Sequence, residues 1–265
     1  MSQAYNAMSY VEVAKRYNDI NHIPLEAANR LGRAVASLAG EDARLADLGG
    51  GAGRITVPVA SRTVTVSVDI EPHMLAACRS LAAKRGVPIG LAAGTVLQLP
   101  FADDFFDAVL ITNVLHQVAR WRDALAEAAR VLKPGGVLIL GRDILDEESC
   151  AGKLRGQSRA ITAMLAPELR PTDAAGPALF QHLQALGGRG SPPVTACAWT
   201  EALSPRQVLE RMGERTHNET WSLNDEQLRG LMERIVPWAE SNFEDLDAVE
   251  DVQWAFGLST VTGLG

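Results

Sequence analysis

The sequence predicts an α/β fold with a mostly parallel sheet, and three observations carry that expectation. Short apolar runs, several rich in β-branched residues, alternate with longer segments of helical periodicity through the middle of the chain. The runs are continuous rather than alternating, which suits strands covered on both faces. Strand, helix, strand in repeated succession builds a parallel sheet through right-handed crossovers.

In chain order, residues 8–40 read as two helices divided near Asn21-His22-Ile23-Pro24, since proline suits a helix start and disfavours continuation. Ala43–Leu48 is the first strand and ends in glycines; Val64–Val68 (Val-Thr-Val-Ser-Val) is the second; Pro88–Ala92 is a weaker third. Phe106–Thr112 and Gly136–Leu140 follow as continuous apolar runs. Between them, Pro72–Arg85 and Arg120–Leu132 carry apolar residues at three- and four-residue spacing. In the second, Trp121, Leu125, Ala128 and Val131 share a face while Arg122, Asp123, Glu127 and Arg130 point away. Residues 146–190 are rich in Ala, Arg and Gly, and Pro167, Pro171 and Pro177 are expected to break any long helix. Val194–Trp199 reads as a strand, and Ser204-Pro205 opens a helix to about Arg211. Asn224-Asp225-Glu226-Gln227 resembles a capping box before the amphipathic Leu228–Trp238, and Val252–Val261 reads as a last strand.

Composition narrows the function. Of 265 residues, 47% are hydrophobic and 22% charged, which excludes a disordered, collagen-like or membrane-embedded chain. Twenty-five Lys and Arg against 32 Asp and Glu give a net charge of −7, with no basic run to override it. A phosphate backbone is repelled by that field, so nucleic acid is not expected as a partner. Cys78, Cys150 and Cys197 stand far apart without a Cys-x-x-Cys pair and read as reduced, structural thiols of a cytoplasmic protein. Met1–Tyr10 has no basic region followed by an apolar stretch, and no run approaches the ~20 apolar residues of a membrane span, so neither a secretion signal nor a membrane is expected.

The most informative segment is Asp47-Leu48-Gly49-Gly50-Gly51-Ala52-Gly53-Arg54, which follows a strand and precedes a helical pattern. Glycines at 49, 51 and 53 let the chain turn sharply and bring backbone close to a ligand. Asp69 ends the second strand 20 residues after Gly49, where a carboxylate can accept hydrogen bonds from vicinal ribose hydroxyls. A nicotinamide fingerprint requires its third glycine at position 54, where Arg54 stands; Gly53 comes one residue early.

The series Asp-x-Gly-x-Gly-x-Gly instead resembles the cofactor loop of class I S-adenosylmethionine-dependent methyltransferases. Asp69-Ile70-Glu71-Pro72-His73-Met74-Leu75 is similar to that family's second-strand exit. Gly94-Thr95-Val96-Leu97-Gln98-Leu99-Pro100-Phe101 resembles its third, with Thr95 where the family usually carries an acidic residue. Phe106–His116 and Leu132-Lys133-Pro134-Gly135-Gly136 resemble its fourth strand and the turn before its fifth. Five segments in order cover about a third of the chain, and the pattern looks most like the small-molecule branch near the ubiquinone and menaquinone biosynthesis methyltransferases.

The resemblance implies a Rossmann-like seven-stranded sheet, with Val194–Trp199 and Val252–Val261 as an antiparallel pair. With no repeats or low-complexity linker, the chain reads as one domain over 1–265: an N-terminal helical lid over 1–40, a cofactor-binding core over 41–145, and a helical insertion with the strand pair over 146–265 on the substrate side. S-adenosylmethionine is the implied cofactor, held by Tyr17, Asp47, Gly49, Gly51, Gly53, Asp69, Ile70, Met74, Thr95, Val96 and Asn113. The implied partner is a small-molecule methyl acceptor; association as a homodimer is left open.

Methyl transfer from a sulfonium requires alignment and exclusion of water, and neither a metal nor a covalent nucleophile is signalled. His116, just beyond the fourth strand, is the candidate general base, its ordinary pKa near ~6.5 suiting proton transfer; a histidine that merely packs in the loop is the alternative. Val114 and Leu115 after Asn113 exclude the Asn/Asp-Pro-Pro-aromatic motif of amino-group methyltransferases. Tyr17 resembles the tyrosine with which many relatives cover the cofactor, and a tyrosine buried between helices is the alternative; Tyr10 and His22 are weaker lid candidates. Arg54 is expected to be solvent-exposed, with pairing to the cofactor's carboxylate as the alternative, and Arg142 and Asp143 to form a surface pair at the pocket edge, with contact to substrate as the alternative. Trp199, Trp221, Trp238 and Trp254 are expected mainly in cores. Two rival readings stand beside the enzyme: a non-catalytic cofactor-binding module and, less favoured, a nicotinamide-dependent oxidoreductase.

Overall fold

The computed structural model describes residues 17–18, 21, 23–169, 172–174, 176–215, 220 and 222–264. Tyr10, His22 and Trp221, and the first of the two helices expected over 8–40, lie outside the described residues apart from Tyr17 and Asn18. The chain divides into two compact units: one comprises His22–Asp143, Pro171–Ala198 and Ala255–Gly265, the other Met1–Asn21, Ile144–Arg170 and Trp199–Trp254.

The first unit holds the parallel strands. Helix α1 (Leu25–Ala39) leads into β1 (Arg44–Leu48), a short α2 (Thr56–Ala60), β2 (Val64–Asp69), α3 (Pro72–Arg85), β3 (Gly90–Ala93), β4 (Phe106–Thr112), α4 (Trp121–Val131) and β5 (Leu132–Leu145). Strand β1 pairs in parallel with β2 and β4, β2 with β3, and β4 with β5. Register sets Asp47 against Ser67 and Leu48 against Val68, so the glycine loop and Asp69 leave the sheet side by side at its carboxyl edge. Helix α3 has the bounds its pattern predicts. Glu71 accepts from the His73 N–H at its start, Pro72 stands in the first turn, and Gly86 ends it at φ +64°. Trp121, Leu125, Ala128 and Val131 form the buried face of α4, against Val109, Ile111, Leu138 and Leu140.

Helix α5 (Cys150–Leu165) belongs to the second unit and runs 16 residues in a segment whose prolines suggested only short helices. Those prolines all lie beyond its end, and Ser149 caps its start by accepting from Gly152 N–H. Helix α6 (Gly176–Ala185) and strand β6 (Arg189–Gly190) follow in the first unit, then β7 (Val194–Leu203), α7 (Pro205–Gly213), α8 (Asp225–Asn242) and β8 (Glu250–Thr262). Both α7 and α8 begin with complete capping boxes, Ser204 with Gln207 and Asn224 with Gln227. Helix α8 continues through Pro237 because Leu228, Leu231, Ile235 and Ala239 keep one apolar face buried on both sides of it. Cys150, Leu154, Ile161, Leu209, Met212 and Ile235 share the second unit's core.

The strands pair in the order β3-β2-β1-β4-β5-β8-β6, with β7 also on β8. One strand more than the resemblance implies comes from Arg189–Gly190, antiparallel to β8. Ser191 locks it there: its N–H donates to Thr260 O at 2.8 Å and its Oγ accepts from Thr260 N–H at 2.9 Å. No helix among the described residues is long and apolar enough to cross a membrane.

Candidate functional site

The glycine loop takes its shape from three left-handed residues, Gly49 (φ +75°), Gly51 (+57°) and Gly53 (+87°), a conformation that penalises any side chain. Its amides turn inward. Gly49 N–H and Gly50 N–H donate to Val68 O at 2.8 and 3.3 Å, and Gly53 N–H to Gly50 O at 3.2 Å. Gly51 N–H donates to Asp69 Oδ2 at 2.9 Å. Space around the three differs. A Cβ at Gly49 would lie 2.6 Å from Val114 Cγ2, and one at Gly53 2.7 Å from Cys78 Sγ; at Gly51 no atom of the described residues lies within 4 Å. Among the described residues, Gly51 is the one of these three with room beside it.

Asp69 binds twice to backbone, through Oδ2 to Gly51 and through Oδ1 to Glu71 N–H at 2.9 Å. Each oxygen keeps a further lone pair for a hydroxyl donor. Burial raises its pKa, while the bonds from Glu71 and Gly51 oppose that rise. Directly beneath the loop, Asp47 is wholly buried and accepts from Thr56 Oγ at 2.6 Å. Burial pushes its carboxyl up to about 7, against the lowering bond from Thr56, and the nearby Asp69 charge adds to the rise. Its Oδ1 and the Oγ of Ser67 are buried with no hydrogen-bond partner among the described residues. Gly50 packs on this polar cell: a Cβ there would collide with Ser67 Oγ and lie 2.7 Å from Thr56 Oγ.

The other residues singled out in the sequence have varied settings. Ile70 is 74% exposed beside Asp69, whereas Met74 is buried in α3. Thr95 Oγ accepts from Leu97 N–H at 3.2 Å in a tight turn, and half-buried Val96 packs on the core. Asn113 leaves β4 at φ +51°. His116 sits on a single 3₁₀ turn, Leu115–Gln117, with Nε2 3.4 Å from Gln117 Nε2; its carbonyl accepts from Thr172 N–H at 3.0 Å. Tyr17 belongs to the second unit, where its carbonyl accepts from Asn21 N–H at 2.9 Å. Trp199 and Trp254 lie parallel there, ring centroids 6.1 Å apart, and Trp238 packs edge-on to Phe243. All three cysteines are buried, and burial pushes the Cys78 and Cys150 thiols up to about 12.

Two expectations need correction. Arg54 is not solvent-exposed: its side chain is 12% exposed and grips Asp143 with both terminal nitrogens, Nη1 to Oδ1 at 3.1 Å and Nη2 to Oδ2 at 2.6 Å. Nor does Asp143 pair with Arg142 at the surface; successive strand residues point to opposite faces, and the pairing runs across the sheet edge to the loop. Asn113 Nδ2 donates to the same Asp143 Oδ2 at 2.8 Å. Sequence reasoning missed this cluster, whose members lie 30 to 89 residues apart. Separately, a cleft of about 470 Å³ opens at the amino edge of the sheet, lined by residues including Ser37, Asp107, Lys133 and Thr260. Its Lys133 and Asp107 charges pair with each other at 2.6 Å, and it holds none of the candidate residues.

Residues 46–140 match the methyltransferase domain family. The demethylmenaquinone methyltransferase of Thermus thermophilus is 36% identical over 137 residues, covering 49% of this chain and 62% of that protein. The ubiquinone/menaquinone biosynthesis C-methyltransferase UbiE of Paracoccus denitrificans is 36% identical over 140 residues, 49% of this chain and 56% of that protein. The chain thus matches less than two thirds of these relatives' own length. Among solved structures, the YcgJ protein of Bacillus subtilis superposes with a TM-score of 0.58 at 20% identity, over 89% of this chain and 98% of that one. The [4+2]-cyclase SpnF superposes at 0.55 and 20% identity, over 89% and 81%. These two likenesses show the fold; the chemistry of a site has to be argued from its residues.

Proposed function

We propose that this chain, whose residues 46–140 match the methyltransferase domain family, binds S-adenosylmethionine at the glycine loop and transfers its methyl group to a small organic molecule. One observation carries the reading: Asp69 fixes the loop through Gly51 N–H and keeps lone pairs for a ribose, beside a Gly51 whose side-chain direction is open. A dinucleotide fits this loop poorly. A pyrophosphate needs backbone N–H groups aimed outward at a helix start, and here those of Gly49, Gly50, Gly51 and Gly53 bond inward. A nucleoside without phosphates makes no such demand.

Gly49, Gly51 and Gly53 bring the backbone against the methionine part of the cofactor, and Asp69 accepts from the ribose hydroxyls. Exposed Ile70 offers an apolar face beside that sugar. Thr95 Oγ, already an acceptor from Leu97 N–H, keeps its own hydrogen to donate towards the base. Val96, Met74 and Asn113 complete the cofactor wall. The bound cofactor supplies an electrophilic methyl group on sulfonium. The protein's part is alignment of the acceptor and exclusion of water, which in well-aligned systems contribute on the order of 7–11 kcal/mol. His116 Nε2 receives a proton where the acceptor is a hydroxyl, phenol or acidic carbon. The relatives' activities make a quinone-type ring the first acceptor to try.

Calorimetry with S-adenosylhomocysteine and with NAD, followed by transfer of labelled methyl from S-adenosylmethionine to demethylmenaquinone-type and other small acceptors, tests this reading. Binding of the first nucleoside and incorporation of label are expected. Binding of NAD alone would replace the reading with an oxidoreductase, and S-adenosylhomocysteine binding with no transfer to any acceptor would leave a cofactor-binding module. A pH–rate profile unchanged in His116→Ala removes His116 as the base.

A further inference from the structure

Both ends of the glycine loop lead to one carboxylate. Arg54, immediately after Gly53, holds Asp143 through two parallel N–H···O bonds of 3.1 and 2.6 Å, a geometry that fixes the guanidinium plane. Asn113, at the exit of β4, donates to Asp143 Oδ2 at 2.8 Å. The residue after Asn113 is Val114, whose Cγ2 closes on Gly49 so tightly that a Cβ there would stand 2.6 Å away. Asp143, on β5, therefore reaches Gly53 through Arg54 and Gly49 through Asn113 and Val114. These three exits form the carboxyl edge, where open α/β sheets collect their ligands.

We propose that Asp143 is a positioning residue that holds both ends of the glycine loop in the shape that accepts the cofactor, through Arg54 at one end and Asn113 at the other. The proposal rests on the function given above and deepens it. The backbone of Asn113 supplies an independent reason. At φ +51° it is in the left-handed region, which asparagine tolerates better than most residues but still at a cost. Its amide side chain is tied to Asp143, and its N–H donates to Gly141 O at 3.3 Å. Releasing that amide frees the backbone to relax and carries Val114 off Gly49. At the other end, Arg54 is 12% exposed and Asp143 25%, so removing the carboxylate leaves a largely buried cation without this counter-charge. Burial pushes up the thiol of Cys197, which is within reach of the charges of Arg30, Asp143 and Arg54.

The test compares wild type with Asp143→Ala, Asp143→Asn and Asp143→Ala/Asn113→Gly. Two readouts are used: hydrogen exchange of the ligand-free chain and calorimetry with S-adenosylhomocysteine. In Asp143→Ala, amides of Gly49–Gly53 are expected to exchange about tenfold faster while those of β4 and α4 keep their rates. Affinity is expected to fall about tenfold, or about 1.4 kcal/mol. Asp143→Asn, which matches the carboxylate in shape and keeps an acceptor for Asn113, is expected between the two and remains informative if the alanine variant does not fold. Adding Asn113→Gly is expected to restore slow exchange at Gly49 but not at Gly53, since glycine adopts φ +51° without strain. Unchanged loop exchange in Asp143→Ala overturns the proposal, as does uniform acceleration throughout the sheet, the result of a merely structural role. Affinity lost with exchange unchanged makes Asp143 a direct ligand contact instead. Failure of wild type to bind S-adenosylhomocysteine, with the exchange pattern as expected, removes the proposed cofactor and leaves the positioning of the loop standing.

Discussion

Asp69 Oδ2 accepts the Gly51 N–H at 2.9 Å across the gap between the ends of β1 and β2. The contact makes the acidic residue part of the loop as well as a candidate partner for a sugar. Gly51 needs φ +57° to present that N–H, and the carboxylate compensates an amide that the turn would otherwise leave unpaired.

Asp69→Ala should therefore weaken S-adenosylhomocysteine binding at least about tenfold, since charge-assisted bonds contribute ~1.5–3 kcal/mol each. Asp69→Asn should recover part of the loss, because its amide oxygen still accepts from Gly51 while half of its polar capacity becomes donor. Titration calorimetry measures both, and wild-type affinity in Asp69→Ala would mean that the ribose lies elsewhere.

Two neighbouring glycines should respond in opposite ways. Gly51→Ala places its methyl in open space, so the fold loses only about 1–2 kcal/mol for left-handed backbone, while ligand affinity drops by about tenfold or more. Gly53→Ala drives a methyl to 2.7 Å from Cys78 Sγ and should destabilise the fold more than Gly51→Ala does. Urea denaturation alongside ligand titration separates the two, and equal stability losses would contradict the assigned packing.

Asp47 should make stability depend on pH. Its folded pKa of about 7 lies above the ordinary 3.8 because burial disfavours the charge. Over that window the folded chain holds a proton that the unfolded chain has released. Its contribution is therefore complete below 3.8 and is lost as pH rises to about 7. Asp47→Asn stays neutral throughout, so its stability relative to wild type should rise between pH 5 and 8 by on the order of 2 kcal/mol. Paired carboxylates such as Asp107 and Glu127, whose pKa values are lowered by Lys133 and Arg130, titrate alike in both proteins and cancel in the difference. A pH-independent difference between the two urea midpoints would show that Asp47 does not carry this proton.

The second unit allows a plainer test. Ser204 Oγ accepts from Gln207 N–H at 3.3 Å, and Gln207 Oε1 accepts from Ser204 N–H at 2.9 Å. Ser204→Ala removes the first bond and should cost about 1 kcal/mol, seen as faster amide exchange in the first turn of α7. Ser204→Asp should keep slow exchange, and loss there would argue against a capping role.

Much of this architecture is legible in the sequence because it is local. The order of strands, the bounds of α3, the capping boxes and the turn at Gly49–Gly53 follow from apolar periodicity and from residues whose backbone preferences act within a few positions. Helix α5 was less legible, since composition flagged its neighbouring prolines without showing that they fall past its end. What only the tertiary structure decides is which distant groups meet. The sequence places Arg54 in a first turn, where water is the default partner, and Asp143 at a strand end 89 residues away. Parallel pairing of β1, β4 and β5 brings those ends together, and burial turns two ordinary surface charges into a fixed bridge. The same holds for Asp47, whose carboxyl is pushed up by being buried under Gly50 beside Ser67 and Thr56. Spacing along a chain encodes its own turns and helices, but the dielectric and the neighbours that set a side chain's charge exist only after the sheet has closed.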